Sequence, residues 1–298
     1  MKYKTIEIDT RFIDEIKNWS KESGQVLEHC LDFNLWIAGG FARKLYEIYV
    51  LKNNLDISLQ NYFFLLGGDI DIFGKEKDLK HNEEYFENFA SMYADNILLV
   101  YYKNLYTKNL TFFCDNILYK KDLLNSSRRT GIVLQLVNKI RHKSIFDCFE
   151  SFDLTNSKYG VYKEDNKIFL TFDKEACYYD SKKEVDISHT NTPYLAQRII
   201  KYIKNKNLDK ISNRSREKIK SYFINVISNK WEEYIHELTI SDVSRIHYDI
   251  IKLNNIINLS DEEVIIMLGK IKILKHNDDY SSFVSKDWAS EMIKGESK

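Results

Sequence analysis

The stretch LLGGDIDIF, residues 65–73, places two aspartates one residue apart inside an otherwise apolar run. Its isoleucines and terminal phenylalanine favour a buried strand. Side chains in a strand alternate with period two, so Asp69 and Asp71 share one face while Ile70 and Ile72 take the other. Two neighbouring carboxylates repel each other and are costly to take out of water. An edge strand with a polar outer face is one solution. A cation held between the two acids is the other.

The chain has 298 residues, enough for one large domain or two ordinary ones, each with its own core. Hydrophobic residues make up 44% and charged residues 30%, the balance of a folded globular protein rather than a disordered one. Formal net charge is zero, so any nucleic-acid surface has to be local. Cys30, Cys114, Cys148 and Cys177 form no CxxC pair and have no histidine at a zinc-ligand spacing. They read as reduced thiols of a cytoplasmic protein. No stretch is apolar enough to span a membrane, and MKYKTIEIDT lacks the apolar core of a signal peptide.

Helical spacing runs through Phe12, Ile13, Ile16 and Trp19, which predicts one helix over 10–22 with Thr10 or Asp9 as N-cap. WIAGG reads as a short strand and a glycine pair opening a second helix, Gly40 to about Leu51. A polar helix over 82–94 follows the DIDIF strand, and NILLVYYKNL, LTFFCDNILY and TGIVLQLVNKI read as further strands. SIFDCFESF reads as a short helix, and FDLTNSKYGVY with KIFLTF as a hairpin turning at Glu164 to Asn166. This mixture predicts an α+β domain over residues 1–190. Past Pro193 helical spacing dominates, beginning with YLAQRIIKYIKN at 194–205, which predicts an all-helical domain over 191–298 joined at His189 to Pro193. SDEEVIIMLGKI carries a capping box, Ser260 with Glu263. From Tyr194 to Lys230 there are ten basic residues and two acidic ones, either a solvated helix surface or a track for a phosphate backbone.

Two features carry chemistry. In WIAGGFARKLYE, residues 36–47, Gly39 and Gly40 permit close backbone approach, and the first amides of the helix offer an anion site. In the D-x-D strand, Asp69 and Asp71 supply the hard oxygen ligands that Mg²⁺ prefers, leaving positions for phosphate oxygens and water. Together they resemble the nucleotidyltransferase superfamily that includes DNA polymerase beta. IAGGFAR is similar to the G-G-x-x-R-D motif of the tRNA nucleotidyltransferase and poly(A) polymerase family. Gly39, Gly40 and Arg43 match, with Lys44 where that family has aspartate. TPYLAQRIIKY, residues 192–202, is similar to its D-P-x-R-x-x-R-x-x-R-F segment through Pro193, Arg198, Lys201 and Tyr202.

The resemblance implies a nucleotidyltransferase-like mixed sheet with flanking helices, and a transferase moving NMP from an NTP such as ATP to a hydroxyl. It implies two Mg²⁺ ions at Asp69, Asp71 and a third carboxylate. GIVLQLV offers only Gln135 as that third group, so Asp153 in SFDLTN, read as beginning a strand, is the better candidate, with Asp147 the weaker one. Arg43 and Lys44 would touch phosphates from the helix start. Arg198 and Lys201 share a helix face and would close over the nucleotide, and Tyr202 would stack on a base or pack in a core. The acceptor is an RNA 3′ end, tRNA-like, or a protein or small molecule. The base-reading motif of CCA-adding enzymes is not recognisable, and SSRRTG at 126–131 lacks a following aspartate. The alternative is a catalytically degenerate fold serving as a binding or regulatory module.

Overall fold

The computed structural model describes residues 2–92, 99–103, 107–113, 131–137, 141–206, 208–227 and 259–269. It is an α+β protein in two compact units: residues 1–152 with 157–177, and residues 153–156 with 178–298.

The first unit runs β1 (Tyr3–Ile8), α1 (Arg11–Trp19), α2 (Lys21–Asp32), β2 (Trp36–Ala38), α3 (Gly40–Tyr49), α4 (Leu55–Gln60) and a π-helical turn, Asn61–Leu65. It continues with β3 (Asp69–Phe73), α5 (Glu76–Met92), β4 (Leu99–Lys103), β5 (Thr107–Phe113), β6 (Gly131–Val137) and α6 (Ile145–Glu150). The hairpin β7 (Tyr159–Glu164) and β8 (Lys167–Asp173) and the start of α7 (Lys174–Ser181) complete it. The described strands form one mixed sheet in the order β1-β8-β7-β2-β3-β6-β5-β4. Its β3–β6 pairing is parallel, and the other pairings are antiparallel.

The helix expected over 10–22 is two helices. Ser20 interrupts it with an extended backbone, and its side chain accepts from the Ser23 amide at 3.2 Å to start α2. At the front of α1, Thr10 holds the N-cap position while Asp9 accepts the Arg11 amide at 3.1 Å. The β7–β8 hairpin turns where expected. Asp165 and Asn166 have φ of +48° and +61°, the paired left-handed residues of a two-residue turn matched to strand twist. The second half of LTFFCDNILY and residues 126–130 of SSRRTG lie outside the described residues.

The sheet has two unlike sides. One packs Ile37, Ile70, Ile72, Leu110, Leu134, Leu136, Val161 and Leu170 into the main core, with Phe12, Leu27, Phe41 and Phe63. The other carries a smaller apolar cluster in which α6 sets Ile145, Cys148 and Phe149 against Trp36, Ala38 and Phe73. Gly160 on β7 makes this contact possible. A Cβ there would stand 2.5 Å from Ile145 Cδ1 and 3.0 Å from Phe149 Cε1. Gly160→Val therefore overpacks the α6 contact, at a cost of about 1–3 kcal/mol in urea unfolding. It also loosens α6, so the buried Cys148 thiol reacts with a thiol reagent faster than in the wild type.

The second unit is not all helical. It contains β9 (Glu184–Val185) paired in parallel with β10 (Lys210–Ile211), besides α8 (Leu195–Lys206), α9 (Asn213–Ile227) and α10 (Asp261–Gly269). The chain divides between Cys177 and Tyr178, ahead of the His189–Pro193 junction read from the sequence. The reason is a pairing across the chain: Leu154 bridges Ile187, and both pack with Val185, Leu195 and Ile199 in the core of the second unit. The capping box forms as read: Ser260 N donates to Glu263 Oε2 at 2.8 Å, and Glu263 N to Ser260 Oγ at 3.2 Å.

Asp186 is the polar centre of this unit. Fully buried, it accepts from Thr155 Oγ1, Ser212 Oγ, Ser215 Oγ and two nitrogens of Arg214, at 2.5 to 3.0 Å. Burial alone would raise its pKa, but the bonds from Arg214, Ser212 and Thr155 outweigh burial and hold it below the ordinary value. A carboxyl depressed in the folded state stabilises above its unfolded pKa of about 4, and that stability is lost as pH falls through the lower folded value. Asp186→Ala should cost about 1–3 kcal/mol at pH 7, because it removes the acceptor that Arg214 and three hydroxyls share. Urea unfolding from pH 7 down to pH 3 should show the gap between wild type and variant narrowing as acid is added.

Candidate functional site

β3 lies inside the sheet, antiparallel to β2 and parallel to β6. Ile70 and Ile72 are fully buried in the main core, whereas Asp69 and Asp71 on the opposite side are partly exposed. The aspartates therefore do share a face, and the strand is not an edge. Tyr62 Oη donates to the Asp69 carbonyl at 2.6 Å and ties the strand start to the π-helical turn.

The parallel register places Val133 beside Asp69 and Gln135 beside Asp71, and β5 adds Asn109 beside Gln135. Residues in register point to one side of a sheet, so Asp71, Gln135 and Asn109 make a polar row. Asn109 Oδ1 is buried there and has no hydrogen-bond partner among the described residues. The sequence offered no sign of Asn109, because its place depends on a strand pairing that spans the chain between 73 and 131.

Gly39 joins β2 to α3. Its φ of +87° and ψ of −137° suit glycine alone. Its amide donates to the Tyr159 carbonyl at 2.9 Å, and its carbonyl accepts the Arg43 amide at 3.0 Å as the first turn of α3 closes. A Cβ on Gly39 would sit 3.7 Å from Asp71 Oδ2, which brings the glycine pair and the D-x-D strand together. The positive end of α3 thus begins beside a carboxylate. On the other flank, burial pushes the Cys148 thiol pKa up, and the Asp71 and Asp147 carboxylates push it further. Cys148 is a neighbour that the sequence did not single out.

Arg43 and Lys44 both turn toward Glu47. Arg43 is buried, with Nη1 3.0 Å from Glu47 Oε1, and Lys44 Nζ bonds Glu47 Oε2. Asp147 accepts the Lys143 amide at 3.0 Å and lies 3.7 Å from His142 Nδ1.

Asp153, Arg198 and Lys201 belong to the second unit. Asp153 does not begin a strand, as the sequence reading had it. It occupies a bend before the isolated Leu154–Ile187 bridge, and β7 starts only at Tyr159. Buried at 2% exposure, it accepts from Arg198 Nη1 at 2.8 Å, while its Oδ2 has no hydrogen-bond partner among the described residues. The structure therefore joins two residues to which the sequence gave separate roles, metal ligand and phosphate clamp. Lys201 is exposed on α8, and Tyr202 is buried in the core of the unit.

Among the described residues no group of three or more histidine, cysteine or acidic side chains converges as a metal site. The donors present on β3 are two partly exposed carboxylates, a set that suits a hard cation completing its shell with water or phosphate oxygens. No helix of the described residues is long and apolar enough to cross a membrane. A search of protein-family models finds no match to this chain, and none of the curated proteins matches it either.

Gly39→Ala tests the junction. A side chain at this φ/ψ should cost about 1–3 kcal/mol in chemical denaturation, with the loss concentrated at the start of α3 and read as faster amide exchange at Phe41 to Lys44.

Proposed function

We propose that the first unit binds a nucleoside triphosphate with Mg²⁺ at Asp69 and Asp71 and transfers its nucleoside monophosphate to a hydroxyl acceptor. The carrying observation is the approach of Gly39 to the Asp71 carboxylate, which brings a helix start beside a strand that carries two same-face acids. This arrangement supports the nucleotidyltransferase-like reading of the mixed sheet.

Asp69 and Asp71 would hold the cation, and Mg²⁺ when bound supplies charge neutralisation on the triphosphate. The first amides of α3, after Gly39 and Gly40, would receive phosphate oxygens. The acceptor oxygen forms a bond to the α-phosphorus as the bond to the α,β-bridging oxygen breaks, and pyrophosphate leaves with that electron pair. The hydroxyl proton passes to solvent. Arg43 and Lys44, engaged with Glu47, shape the charge of α3 and need not touch phosphate. The ten basic residues between Tyr194 and Lys230 make an RNA 3′ end a suitable acceptor, and a protein hydroxyl is the other.

A binding or regulatory module without catalysis is the second reading. It is favoured by the neutral Gln135 beside Asp71 and by the Arg198 pairing of Asp153. The two readings part in one experiment. Wild type should be stabilised to heat by NTP only with Mg²⁺ present, and should label RNA or protein when incubated with labelled NTP and cell extract. Asp69→Asn and Asp71→Asn should each lose the thermal shift and cut labelling at least ~100-fold, about 2.7 kcal/mol of barrier. A thermal shift without any labelling supports the module, and the absence of both defeats the nucleotide reading.

A further inference from the structure

We infer that this site holds a single divalent cation, and that Gln135 is the residue that keeps the count at one. The inference rests on the nucleotide reading above and specifies its metal content.

Two metal ions about 3.5–4 Å apart bring four positive charges into one cleft and need shared anionic ligands. Mg²⁺ demands near-ideal octahedral coordination by oxygen, with carboxylates as its main protein ligands. β3 supplies two carboxylates, enough to balance one dication. A third would have to come from a side chain that points to the same space, and the neighbouring strands fix which residues those are. Beside Asp69 stands Val133, which has no donor atom. Beside Asp71 on β6 stands Gln135. On β2, Ala38 follows Ile37, the partner of Ile72, and its methyl group has no donor atom. Next to Gln135 comes Asn109, another neutral amide.

From α6, Cys148 is buried and offers only sulfur, a soft donor that Mg²⁺ does not favour, and Asp147 accepts the Lys143 amide and lies 3.7 Å from His142 Nδ1. Among the described residues, Gln135 is thus the one position directly beside Asp71, on a neighbouring strand, whose side chain is long enough to ligate and lacks only the charge. An amide oxygen is a neutral donor and cannot replace a shared carboxylate between two dications.

The test counts ions rather than turnover. Mn²⁺ stands in for Mg²⁺, and bound Mn²⁺ per chain is measured by electron paramagnetic resonance on full-length protein saturated with a non-hydrolysable ATP analogue. Wild type should bind one ion, Gln135→Asn should still bind one, and Gln135→Asp or Gln135→Glu should bind two. Two ions on the wild type, or one on a folded acidic variant, would overturn the inference while leaving the nucleotide reading intact. Failure of wild type to bind the analogue at all would remove that reading, and this inference with it. Should neither acidic variant fold, the wild-type count alone decides.

Discussion

Like charges on one side of β3 are the constraint around which the first unit is arranged. Burying Ile70 and Ile72 fixes the strand inside the sheet, so Asp69 and Asp71 cannot escape to an edge. The surroundings answer this in three ways. Gly39, which has no side chain, stands beside Asp71. The start of α3 lends it the positive end of a helix. The nearest thiol stays protonated, which adds no further negative charge.

Much of this was legible in the sequence. Period-two alternation gave β3 and its acid face, the hairpin showed itself through Asp165 and Asn166, and the α10 capping box through Ser260 and Glu263. What stayed hidden left no pattern along the chain. The split of the first helix hinged on Ser20, whose cap is a single local bond inside an unbroken apolar rhythm. β9 and β10 are two residues each, too short for any pattern. The division after Cys177 follows from Leu154 pairing with Ile187, which no local window contains.

The candidate site divides in the same way. Gly39, Gly40, Asp69 and Asp71 were visible because backbone freedom and paired acids leave marks on short stretches of chain. The neighbours Gln135, Asn109 and Cys148 come from other elements, and their adjacency is decided by strand register and by the seating of α6. Asp153 and Arg198 were each noticed, but for separate tasks, because a salt bridge between a bend and a helix 45 residues on is invisible to motif reading.

The β3–β6 pairing has a temporal consequence. Parallel neighbours need a long crossover, and here β6 arrives only after α5, β4 and β5 have been made. β1, at the opposite border, waits for β8, whose partner residues lie more than 150 positions later. Contacts so remote along the chain slow folding. A ribosome must therefore release most of the first unit before the acid face acquires its floor, and until then Ile70 and Ile72 stand exposed to whatever binds unfinished chains.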